Sequence, residues 1–116
     1  MNYVQRVKRH LNGHERISFD YDGVLNTING RALIKRAITE GYNVFIISAR
    51  NERNRKQVEE FAKEIGLNIS RVYTVGSNKA KIEKIKELQI TKHYDNNENV
   101  IDALKETTTK GILTNY

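Results

Sequence analysis

Residues 43–47, "NVFII", decide how this chain is read. After Asn43 come four consecutive apolar side chains, Val44, Phe45, Ile46 and Ile47. Successive side chains of a strand point to opposite faces, so this run must be covered on both sides, as in a parallel sheet flanked by helices. The neighbouring segments agree. Upstream, Asn29-Gly30 opens a helix through Glu40, with Leu33, Ile34, Ala37 and Ile38 as its apolar stripe and Gly41 as its stop. Before it, "ISF" at 17–19 reads as a short strand. Downstream, a helix from Asn54 to Ile65 turns Val58, Phe61, Ala62 and Ile65 inward and closes at Gly66. A strand "RVYTV" (71–75), a helix capped by Ser77 or Asn78 and reaching Leu88, and a strand "ITKHY" (90–94) follow. A helix from Asn97 to Glu106 and a last strand "GILTN" (111–115) end the pattern, and a helix over residues 3–11, with Val4, Val7 and Leu11 on one face, precedes it. Alternating strands and helices predict one α/β domain over residues 1–116, a three-layer α/β/α Rossmann-like fold with a mostly parallel five-stranded sheet.

Composition narrows the chemistry. The 116 residues include no cysteine, which excludes disulfides, thiolate metal sites and a thiol nucleophile. No proline is present, so turns rest on Gly, Asn and Asp. No apolar run approaches the ~18 residues that span a membrane, and the start "MNYVQRVKRHLNGHER" has no signal-like apolar core. A cytoplasmic protein without membrane contact is expected, and an oligomer is compatible with the sequence. The formal charge of +6 suits anionic partners, whether polyanions or small metabolites.

Open parallel sheets bind ligands beyond the carboxyl ends of their strands. "RISFDYDGVLNT" (16–27) places Asp20 and Asp22 after the first strand. Ser48, Ala49 and Arg50 follow the second, Gly76-Ser77-Asn78 with Lys79 and Lys81 the third, and Asp95, Asn96 and Asn97 the fourth. Taken singly, Asp20 and Asp22 could form an Asx turn, Ser48 a cap, and Lys81 a solvated helix lysine. Taken together, carboxylates gathered on one edge repel unless a cation sits among them. A hard divalent cation such as Mg2+, which takes one or two carboxylates plus substrate phosphate, would serve, while a Ser hydroxyl and a Lys ammonium suit phosphate oxygens. Arg53, Arg55 and Lys56 put cations where a helix begins, against its macrodipole, which favours a nearby anion unless these side chains bend into water, and Arg50 sits nearest the strand end. His93 reads as a packed or hydrogen-bonded strand residue.

The order "FDYDGVLNT", "VFIISAR", a lysine at a helix start, then "HYDNN" resembles the haloacid dehalogenase-like (HAD) phosphohydrolase superfamily, and in particular its small single-domain members from bacteriophage genomes. The resemblance covers residues 16–104. It implies a HAD-like fold and a phosphatase in which Asp20 is the nucleophile, forming an aspartyl-phosphate, and Asp22 the general acid and base. Ser48 would hydrogen-bond the phosphoryl group, with Ala49, Arg50 and Lys79 also near the substrate. Lys81, preferred over Lys79 as the motif lysine, would pair with phosphate and nucleophile. Mg2+ would be held by Asp20, Asp95 and the backbone carbonyl of Asp22, with Asn96 standing where many relatives carry a second Asp. Only "VLNTIN" separates Asp22-Gly23 from the next helix, and the Ser48–Lys81 interval holds one helix and one strand, so no cap domain is expected over the site. An open site implies a phosphorylated substrate such as a nucleotide or a nucleic-acid end. Two other readings compete: a catalytically weak or inactive binding protein on the same fold, and a receiver-like phosphoacceptor domain.

Overall fold

The computed structural model describes residues 15–116; the helix expected over residues 3–11 lies outside them. Five strands, β1 (Arg16–Phe19), β2 (Asn43–Ser48), β3 (Val72–Thr74), β4 (Lys92–Asp95) and β5 (Lys110–Leu113), alternate with four α-helices, α1 (Ile28–Thr39), α2 (Lys56–Glu64), α3 (Asn78–Glu87) and α4 (Glu98–Leu104). The sheet order is β3-β2-β1-β4-β5. Every pairing is parallel.

Strand β2 behaves as its run of apolar residues demands. Val44 and Ile46 join the core beneath α1 and α2 (Ile34, Ala37, Val58, Phe61), whereas Phe45 and Ile47 join the core beneath α3 and α4 (Ile85, Val100, Leu104). The helices change face because the winding reverses at β1, and right-handed crossovers then put the two pairs on opposite sides. The order 3-2-1-4-5 is that of the first five strands of a Rossmann-like sheet, whereas a receiver has 2-1-3-4-5; this excludes the receiver reading. The reversal also makes the gap between β1 and β4 the topological switch point, the place where open α/β sheets generally bind their ligands.

Several boundaries differ from expectation. A 3-10 turn at Glu52–Asn54 precedes α2, which therefore starts at Lys56 rather than Asn54. Strand β4 begins two residues later than expected and ends on Asp95, while α4 stops at Leu104. Ser77 is the cap of α3, its hydroxyl accepting from the Ala80 amide at 3.0 Å.

The approach to α1 is tightly built. Thr27 Oγ1 accepts from the Gly30 amide at 3.0 Å and donates to the Val24 carbonyl. A Cβ on Gly30 would lie 1.7 Å from that carbonyl oxygen. Gly30→Ala is therefore expected to lower the melting temperature, at an overpacking cost of about 1–3 kcal/mol, although Ala ordinarily suits a helix better than Gly. Thermal unfolding followed by circular dichroism checks this, and an unchanged or higher melting temperature would show that the turn can give way.

Candidate active site

The "DYDG" segment is both a turn and part of a polar centre. Asp20 leaves β1 in an extended conformation (φ −70°, ψ 155°). Its amide still donates to the Tyr94 carbonyl at 2.9 Å, so β4 anchors it. Asp22 (φ −68°, ψ 120°) and Gly23 (φ 81°, ψ −2°) are the central pair of a type II turn, whose third position needs positive φ. Gly23 is required a second way: a Cβ there would lie 2.1 Å from Asn96 Nδ2. The turn after β1 thus packs directly on the loop after β4, across the switch point.

The centre is organised by Lys81. Its ammonium donates at 3.0 Å to Asp20 Oδ1 and at 3.0 Å to Asp95 Oδ2. Lys81 is buried because it lies one turn before Ile85 on the inward face of α3, whereas Lys79, two residues earlier, is exposed. Asp95 is wholly buried and accepts twice more, from His93 Nε2 at 2.8 Å and from the Asn97 amide at 3.0 Å. Burial works against its ionisation, yet the His93 hydrogen bond and the Lys81 charge hold its carboxyl below the usual range. Asp20 goes the other way: burial, with the Asp95 charge adding to it, overcomes Lys81 and pushes its carboxyl up to about 6.

Asp22 stands apart. It is exposed and forms a two-pronged ion pair with Arg50, Nε to Oδ2 at 2.9 Å and Nη2 to Oδ1 at 2.8 Å. Arg50 also donates to the Asn54 carbonyl and to Gln57 Oε1, and lies 5.0 Å over the Tyr21 ring. These hydrogen bonds from Arg50 are the main reason the Asp22 carboxyl lies below its ordinary range. Arg50, read from sequence as a substrate contact, is thus committed to Asp22. Ser48 is buried at the end of β2, and its hydroxyl accepts from the Arg50 amide at 3.1 Å. Ala49 is half-buried beside it and Asn96 is exposed. Of the basic stretch, Arg55 pairs with Glu59 and donates to the Ile69 carbonyl, while Arg53 and Lys56 are exposed along a shallow pocket with Arg50 and Gln57.

His93 carries more than its sequence position suggested. It is fully buried, and its Nδ1 lies 2.7 Å from Ser18 Oγ, its register partner across the β1–β4 pairing. Burial, the largest influence, lowers the imidazole's pKa despite Asp95, so the ring is neutral. A carboxylate can only accept, so Nε2 donates to Asp95 and Ser18 donates to Nδ1. A signal existed: with a side-chain period of 2, Ser18 shares a strand face with Asp20, and His93 with Asp95.

Whether these residues suit Mg2+ turns on charge and donor type. Two buried carboxylates face one ammonium beside a neutral imidazole, which leaves about one negative charge. Among the described residues no group of three or more His, Cys, Asp or Glu side chains is placed to hold a metal ion. Two carboxylates, Asp20 and Asp95, joined through Lys81 match the one or two that proteins commonly give to a Mg2+ shell, which is completed by water and phosphate. The donor set therefore fits the ion.

A solved structure from Vibrio cholerae, described as a candidate 3-deoxy-D-manno-octulosonate 8-phosphate phosphatase, aligns with 88% of this chain and 67% of its own, at a TM-score of 0.49 and 16% identity. No family model matches the chain, and no curated protein matches it. No helix among the described residues is long and apolar enough to cross a membrane.

Proposed function

We propose that this chain is a Mg2+-dependent phosphomonoester hydrolase of the haloacid dehalogenase-like superfamily, acting through an aspartyl-phosphate on Asp20. The observation that carries the reading is Lys81, held 3.0 Å from both Asp20 and Asp95 at the switch point of the sheet. An oxygen of Asp20 attacks phosphorus as the bond to the ester oxygen breaks, and that oxygen takes a proton from Asp22. Water then attacks the aspartyl-phosphate, gives its proton to Asp22, and restores Asp20 with release of inorganic phosphate. Lys81 neutralises charge on the transferring group and Ser48 offers it a hydroxyl. Mg2+ held by Asp20, Asp95 and the Asp22 carbonyl would supply further positive charge to the phosphoryl oxygens. Only residues 24–27 separate Gly23 from α1, and α2 with short turns fills the interval from β2 to β3, so neither gap among the described residues holds a covering domain. That openness suits a nucleotide or a nucleic-acid phosphate end, and the +6 charge suits it as well.

One observation favours a second reading, a phosphate-ester binding protein with little turnover: the Arg50 pair keeps Asp22 ionised, whereas a general acid must carry a proton. Phosphate release from an aryl phosphate, a mononucleotide and a 3′-phosphorylated oligonucleotide separates the two. The hydrolase reading expects release that stops on chelation of Mg2+, and Asp22→Asn is expected to slow it by about 10²–10⁴-fold, the usual worth of a positioned acid–base group. Binding of these esters without any release, measured by calorimetry, would support the second reading instead.

A further inference from the structure

We infer that His93, backed by Ser18, is a positioning residue that apportions the Lys81 ammonium between Asp95 and Asp20. The inference rests on the phosphatase reading for its consequence in catalysis, but its geometry stands without it. Ser18, His93, Asp95, Lys81 and Asp20 form one buried chain along the β1–β4 seam: Ser18 Oγ to Nδ1 at 2.7 Å, Nε2 to Asp95 Oδ2 at 2.8 Å, then Lys81 Nζ at 3.0 Å from each carboxylate. Ser18, His93 and Asp95 are each fully buried. Buried polar groups persist where they are hydrogen-bonded, and here both ring nitrogens and the Ser18 hydroxyl have partners.

The geometry says what these bonds do. Asp95 Oδ2 is shared between two donors, His93 and Lys81, and Lys81 is shared between two acceptors, Asp95 and Asp20. Without the imidazole donor, Oδ2 faces the ammonium alone and draws it toward Asp95, which loosens its hold on Asp20. Asp95, which can only accept, sets the tautomer that donates from Nε2, and the Ser18 hydroxyl at Nδ1 seats the ring from behind. The hydrogen bonds of the His93 ring go to Ser18 and Asp95, so its influence on the nucleophile passes through Asp95 and Lys81.

The test uses His93→Gln, which keeps an N–H donor, His93→Leu, which removes it, and Ser18→Ala, which removes the hydroxyl that seats the ring. Calorimetric titration with Mg2+ alone should show an affinity about 10–100-fold weaker in His93→Leu, the usual effect of losing a hydrogen bond behind a metal ligand, with most of it recovered in His93→Gln and an intermediate loss in Ser18→Ala. For aryl phosphate, kcat should fall in the same order while KM changes little. A separate measurement needs neither metal nor turnover: thermal unfolding of His93→Leu, Asp20→Asn and their double variant in chelator. Coupling through Lys81 makes the two shifts in melting temperature non-additive although the residues do not touch. Wild-type Mg2+ affinity in folded His93→Leu, or no recovery in His93→Gln, overturns the inference. If the wild type neither binds Mg2+ nor releases phosphate, the hydrolase reading fails on its own, and the thermal cycle decides the positioning role: additive shifts overturn it and non-additive shifts uphold it. Should His93→Leu not fold, His93→Gln and Ser18→Ala carry the comparison with wild type, and wild-type affinity in Ser18→Ala counts against the inference.

Discussion

Lys81→Met is expected to destabilise the fold more than any other single change at the centre. The ammonium is the one positive charge within hydrogen-bonding distance of Asp20 and Asp95 among the described residues, and its removal leaves two buried carboxylates facing each other. Breaking a buried ion pair by deleting one partner costs about 3–5 kcal/mol. For a chain of this size that corresponds to a fall in melting temperature of roughly 10 °C or more. The methionine itself fits the site as an unbranched chain of similar length, so the loss measures charge rather than volume. Adding Asp95→Asn should recover part of it, because one of the two stranded charges disappears. Thermal unfolding in metal-free buffer checks both variants. A Lys81→Met protein that melts within a degree or two of wild type would falsify the arrangement, and a double variant no more stable than the single one would place the cost elsewhere.

Asp20→Asn should separate stability from activity. An amide cannot attack phosphorus as a carboxylate does, so phosphate release should fall by roughly 10⁴-fold or more, as it does when other covalent nucleophiles are removed. Stability should move the other way. The Asp20 carboxyl is raised from 3.8 to about 6, chiefly by burial and then by Asp95. An acid whose folded pKa exceeds its unfolded value destabilises the fold once ionised; the penalty is absent below about 3.8, grows as pH rises, and is complete above about 6. A shift from 3.8 to about 6 corresponds to roughly 3 kcal/mol. In chelator at pH 8, Asp20→Asn should therefore melt higher than wild type, and the gap should close on acidification toward pH 4. Saturating Mg2+ should also narrow it, since bound cation stabilises the wild-type carboxylate. An inactive variant that melts lower than wild type at pH 8 would mean that Lys81 more than offsets the burial of Asp20.

Much of this was legible along the chain, for physical reasons. Val44–Ile47 could only be a strand covered on both faces, and the helical stripes on either side left few alternatives to a parallel sheet. Strand ends could be read because the apolar runs stop where Asp20, Ser48 and Asp95 begin or follow. Spacing to Asp95 favoured Lys81 over Lys79. In the fold, residues two apart on a helix point to nearly opposite sides, and Lys81 is the one that shares the buried face of Ile85.

Local chemistry therefore determined which segments are strands and helices, that the sheet is parallel, and which polar residues gather at its carboxyl edge, since period, caps and strand ends are properties of neighbouring residues. The tertiary structure alone decided the order β3-β2-β1-β4-β5, the pairing of Arg50 with Asp22 and the joining of Ser18 to His93. Those contacts link residues 28 and 75 positions apart. No periodicity reaches that far, and such partners are set only when the sheet brings their strands side by side.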